Sequence, residues 1–154
     1  MDDLIETAAE AFEADALPHM HEVHTDPDAK TSEGQTLPKC VAETPVAQKS
    51  TAQWAYERTV LYLKKFEEGL DDGHEIAMGF AGTDAGVLRI EGMGYFDPDI
   101  VTFYGMDQAG GKMQLVQHVS QLSVVFRALP KAVETAAPRR IGFKLIQDLE
   151  QGDA

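Results

Sequence analysis

The chain is short of most features that mark a specialised protein. It holds one cysteine, Cys40, so no disulfide can form within it and a disulfide-stapled fold is excluded. A lone cysteine fits a reducing compartment. The start, Met1-Asp-Asp-Leu-Ile-Glu6, lacks the basic stretch and apolar run of a secretory leader, so a cytoplasmic location is expected. No apolar run approaches the ~20 residues that a membrane-spanning helix needs, and no membrane role is expected. Basic residues are scarce: 13 Lys and Arg stand against 26 Asp and Glu, a net charge of −13. Nucleic acids are held through Lys and Arg, so a nucleic-acid partner is not expected, whereas a basic protein partner suits this charge. Nucleophile motifs, paired-cysteine metal patterns and phosphate-binding loops are missing too. The stretch from Gly105 to Lys112 has neither the glycine spacing of such a loop nor a hydroxyl after the lysine. No cofactor is expected.

What is present suggests one α+β domain behind an acidic segment. Residues 1–49 carry 11 acidic and 3 basic side chains, and Pro18, Pro27, Pro38 and Pro45 fall among few large apolar residues. Such a segment buries too little surface to offset its ordering entropy, so a largely disordered tail is expected. Within it, Leu4, Ile5, Ala8 and Phe12 share one side of a possible short helix over 2–16, able to form on docking to a partner. His19, His21 and His24 fall within six residues and are the weak metal candidates. Imidazole suits several transition metals, but a structural site wants four ligands.

The globular part is expected over 50–146. Ser50 or Thr51 can cap a helix whose apolar side is Trp54, Val60, Leu61, Leu63 and Phe66, ending at Gly69 or Gly73. Three strands follow, at 75–80, 87–91 and 100–104, with Gly92 and Gly94 marking a bulge or a close backbone approach and Pro98 a tight turn. Over 113–129, Leu115, Val119, Leu122, Val125 or Phe126, and Leu129 recur at steps of three and four, which predicts a second helix. Ile141, Phe143 and Leu145 alternate and predict a last strand over 139–145, with a turn of helix at 131–137 before it and a frayed end over 147–154. The expected architecture is a single antiparallel-rich sheet, a three-stranded meander plus a C-terminal strand, with two helices packed on one face.

Chemistry-bearing residues are few. Asp97, Asp99 and Asp107 lie at turns that could converge with His118, a carboxylate–imidazole set fit for a divalent cation or for acid–base work. Asp beside Pro or Gly is also ordinary turn chemistry. On the expected second helix, Gln117, His118, Ser120 and Gln121 form an uncharged polar stripe, suited to burial against another subunit or a ligand. Arg139 and Arg140 are adjacent cations in an acidic protein, and join the stripe as binding candidates.

The runs Gly94–Gly105, Leu115–Leu122 (Gln-His-Val-Ser-Gln-Leu within it) and Arg140–Phe143 resemble a family of small proteobacterial proteins without an assigned activity. The likeness covers about 52–146 and implies no reaction. The order of elements also looks like that of type III secretion chaperones, although the expected elements stop at a fourth strand, without a further strand and closing helix. The reading that follows is a non-catalytic protein-binding or regulatory domain, expected to be a homo-oligomer. The alternatives are a chaperone-like adaptor, or a metal-dependent or acid–base enzyme using Asp97, Asp99, Asp107 and His118.

Overall fold

The structure, a computed structural model, describes residues 21–29, 37, 38, 41, 42, 48–82 and 86–151. The expected helix over 2–16, together with His19 and Cys40, lies outside them. Residues 50–148 form one compact unit. Of the segment before it, Asp26 closes a turn by accepting from the Asp28 amide, His24 pairs with Glu22 at 2.8 Å, and Val41 is buried.

The first helix of that unit, α1 (Thr51–Glu68), begins where its cap is expected. The Ser50 hydroxyl accepts from the Gln53 amide at 3.0 Å, satisfying one of the donors that a helix start leaves free. Gly69 ends the helix. Five strands follow: β1 (His74–Phe80), β2 (Val87–Phe96), β3 (Ile100–Met106), β4 (Lys112–His118) and β5 (Val124–Pro130). They form one antiparallel sheet in the order β4-β3-β2-β1-β5. A second helix, α2 (Ile141–Gln151), closes the chain.

Cross-strand neighbours share a face, so the register sorts the sheet into two sides. Ile76, Met78, Phe80, Leu88, Ile90, Val101 and Phe103 are buried on the side that α1 covers. Rings lock the two layers together: Phe66 with Phe126 at 5.6 Å and Tyr56 with Tyr95 at 5.1 Å, while Phe80 meets Phe103 at 4.9 Å within the sheet. Each fully buried side chain of this size contributes roughly 1.5–3 kcal/mol. The bulge expected near Gly92 is present as a register shift between Ile90 and Gly92.

Several expectations fail, each for a local reason. Residues 113–129 are not a helix but β4, a 3-10 turn (Val119–Gln121) and β5. The spacing of Leu115, Val119 and Leu122 mimics a helical stripe only because two alternating strands are joined by five residues. Met113, Leu115 and Gln117 point to one side of β4, and Gln114, Val116 and His118 to the other. The sheet therefore has five strands rather than a meander plus one, and the second helix expected on its face is absent. The last strand expected over 139–145 is instead the start of α2. Leu145, Ile146 and Leu149 are buried at helical spacing, whereas Phe143, needed for the alternation, is 68% exposed. Residues 147–151 continue that helix rather than fraying, and 131–137 hold turns in place of a helical turn.

Gly105 is the tightest backbone approach in the sheet. A Cβ there would collide with the Arg89 carbonyl across the bulge and lie 2.9 Å from a Leu88 side-chain carbon. Gly105→Ala should therefore cost about 1–3 kcal/mol, read as a lower urea midpoint at unchanged m-value. Wild-type stability in that variant would contradict the register.

Candidate functional site

Three groups of side chains compete for the role of site: a polar corner, a set of buried carboxylates and the helix-free side of the sheet.

The corner lies where β2 turns into β3 and β4 ends. The His118 Nε2 sits 3.2 Å from Asp99 Oδ2, and Ser120 Oγ lies 2.7 Å from His118 Nδ1. The order Ser, His, Asp invites a catalytic reading. Its hydrogen bonds argue otherwise. Nδ1 already accepts from the Ser120 amide at 3.0 Å, which leaves the ring proton on Nε2, where it is donated to Asp99. His118 thereby caps the 3-10 turn, and Gln121 reciprocates by accepting from the His118 amide at 3.1 Å. The Asp99 carbonyl takes the Val119 amide at 2.8 Å. Asp97, in a cis peptide bond with Pro98, accepts from the Ser50 hydroxyl, and the Pro98 carbonyl accepts from the Ala52 amide. The corner thus ties α1, the β2–β3 turn and β4 together, and the imidazole has no lone pair left for a substrate proton.

The structure does not bring Asp107 to that corner. It lies beyond the opposite end of β3, roughly 27 Å along the strand from Asp99 at ~3.4 Å per residue. There its Oδ1 accepts from the Ala109 and Gly111 amides and holds the β3–β4 loop. The uncharged stripe also dissolves once 113–129 is strand and turn. Gln117 faces the α1 side, 5% exposed with its Oε1 unpartnered, while Ser120 and Gln121 belong to the cap. Among the described residues no group of three or more His, Cys, Asp or Glu could hold a metal ion.

The buried carboxylates were missed because their partners are remote in sequence. Glu75 accepts from the Arg139 amide at 2.6 Å, the Ala132 amide at 3.2 Å and the Arg89 guanidinium at 3.1 Å. Desolvation alone would push its carboxyl up, but those two amides and the Arg89 charge outweigh it, and its pKa lies below the ordinary glutamate value. Glu67 on α1 accepts from Ile141 and Gly142, at 3.1 and 2.7 Å, and so caps α2 from another helix. Here burial wins: it pushes the Glu67 carboxyl up despite the Gly142 amide and the Arg140 charge. Arg140 donates to the backbone carbonyls of His74 and Asp71, and Arg139 pairs with Glu91 at 3.3 Å. Both arginines therefore serve the fold. A depression of about 330 Å³ beside them is lined by Lys64, Glu67, Leu70, Arg140 and Phe143.

That leaves the side of the sheet opposite α1. Segment 131–139 reaches it at Glu75 and, through Arg139, at Glu91. Across β2, β3 and β4 the helix-free face has Arg89, Met106 and Lys112 at one end and His118 at the other, with Gly92, Gly94, Phe96, Ile100, Thr102, Tyr104, Gln114 and Val116 between them. The eight residues between the ends carry no charge. The Tyr104 ring lies over the two glycines, 3.5 Å from where a Gly92 Cβ would stand, and its hydroxyl accepts from Thr102 at 3.2 Å. Phe96 is 75% exposed, Val116 57% and Tyr104 41%.

The chain matches no protein-family model, no curated protein and no solved structure.

Two measurements separate the structural roles. His118→Ala removes the cap and should lower stability by about 0.5–2 kcal/mol in urea denaturation. No loss would mean that the corner does not hold the fold. The Glu75 carboxyl has a folded pKa below its unfolded one. Its contribution is full above the unfolded value and is lost as pH falls through the folded one. Wild type and Glu75→Gln should thus differ most near neutrality and converge in acid; parallel curves would contradict the assignment.

Proposed function

We propose that this is a non-catalytic protein-binding domain that takes its partner on the helix-free face of the sheet. One observation carries the reading: the uncharged middle of that face, with exposed Phe96, Tyr104 and Val116, in a chain of which 25% of residues are charged. Exposed aromatic and aliphatic groups without charge are what the centre of a protein interface uses, because charges are costly to desolvate there. The net charge of −13 favours a basic protein as that partner, with apolar side chains that reach the face. Tyr104 is the natural anchor. Laid across Gly92 and Gly94, it presents a wide ring held by its own strand.

A chaperone-like adaptor is the same reading with an unfolded segment as the partner. The order helix, five strands, closing helix supports it, since the further strand and closing helix missing from the sequence-based order are both present. That support is likeness of architecture alone.

The test is an affinity measurement with a protein captured by affinity purification on the full chain. Tyr104→Ser combined with Phe96→Ser should weaken binding at least tenfold in calorimetry, while the thermal midpoint stays near that of wild type. Unchanged affinity in the folded variant would refute the face as the docking site.

A further inference from the structure

The geometry points to a second surface, the free edge of β4, which borders that face through the side chains of Gln114 and Val116 and on which a second copy of this chain pairs as an antiparallel strand.

The argument begins with the direction of the backbone groups. In an antiparallel ladder, closely and widely spaced pairs alternate, so each residue points its N–H and C=O either at its neighbour strand or away. The Asp107 amide donates to the Gly111 carbonyl and the Val119 amide to the Asp99 carbonyl, both at 2.8 Å and both in the register of β3 with β4. The inward positions of β4 are therefore Met113, Leu115 and Gln117. Lys112, Gln114, Val116 and His118 turn their amides and carbonyls outward. At His118 the outward amide is already taken by Gln121 Oε1. What stays open is Lys112, Gln114 and Val116, with no strand against them among the described residues.

Such an edge is what monomeric proteins usually blunt with charge, proline or a bulge. β5, at the other edge, shows two of these devices: Arg127 is exposed at its centre, and it ends in Pro130, whose carbonyl is occupied by the Arg89 guanidinium. β4 has one, the exposed Lys112 at its start, and none over Met113–Gln117, and its register with itself is self-complementary. A two-fold axis at Gln114 sets Gln114 against Gln114 and Lys112 against Val116 of the other copy, using all three open residues of each chain for about six backbone hydrogen bonds. The same axis places Met113 beside Leu115 of the other copy on the α1 side, where both are only half-buried in a single chain. No like charges face one another across the axis. The Gln121 cap fixes the register by closing the ladder at His118, so a two-fold centred on Leu115 would leave Lys112 opposite a blocked amide. The pairing joins two five-stranded sheets into one and leaves Phe96 and Tyr104 outside the contact.

Sedimentation equilibrium of the full chain tests this. Wild type should show twice the chain mass. Gln114→Pro should show the single mass with a wild-type circular dichroism spectrum, because the amide removed points away from β3 and breaks no internal bond. The register has its own test. Val116→Lys should dissociate the dimer by facing Lys112, and adding Lys112→Asp should restore it. A single-mass wild type at all concentrations overturns the proposal. So does a dimer that survives both Gln114→Pro and Val116→Lys, which would place the contact at β5 or elsewhere. Loss of this dimer with partner binding intact leaves the open-face reading standing, so the two readings fail separately.

Discussion

Two buried glutamates determine how this chain ends, and the rest of the molecule follows from where they send it. Glu75 gathers the amides of Ala132 and Arg139, and Glu67 those of Ile141 and Gly142. A buried carboxylate is costly unless hydrogen-bonded, and unpaired amides at a helix start are costly as well, so each satisfies the other. The contact is close: a Cβ at Gly142 would stand 2.5 Å from Glu67 Oε1 and 3.1 Å from Lys64 Cα. Residues 131–142 are drawn across one end of the sheet and α2 starts beside α1. The middle of the helix-free face is left uncovered as a consequence.

The two carboxylates respond to pH in opposite senses. Glu75 stabilises the fold above its unfolded pKa and loses that contribution in acid. Glu67, pushed up by burial, favours the folded state below its unfolded value and loses that contribution as pH rises through the folded one. One chain end is thus held by two latches whose pH limits lie on different sides of the ordinary glutamate value.

How much of this could be read from sequence depends on how far each determinant reaches. α1 was legible because its cap Ser50, its apolar side and its stop Gly69 are contiguous. The first three strands and the bulge at Gly92 were legible for the same reason. Residues 112–130 were not, since two strands and a five-residue crossing reproduce a three-and-four spacing that only the partner strands can discriminate: β3 for β4, β1 for β5. α2 was read as a strand because its cap lies 75 residues earlier, in Glu67, while Phe143 supplied a false alternation. The same limit applies to the site. Asp99 and His118 were correctly singled out as neighbours, but whether an imidazole is a base or a cap depends on the Ser120 amide at its Nδ1. Conversely, Gly92, Gly94, Thr102 and Tyr104 carry no chemistry that a motif search registers. They become a surface only when the register sets them side by side.

The common thread is that the polar groups of the corner and the two glutamates hold the fold, and the proposed docking site is the uncharged middle of the helix-free face. Amide exchange of the full chain, measured with and without a protein captured on it by affinity purification, tests that most directly. Slowed exchange on binding should concentrate in Gly92–Tyr104, on the helix-free face. Slowing confined to His118–Gln121 and the amides beside Asp99, with the rest of β2 and β3 unchanged, would contradict it and return the functional role to the polar corner.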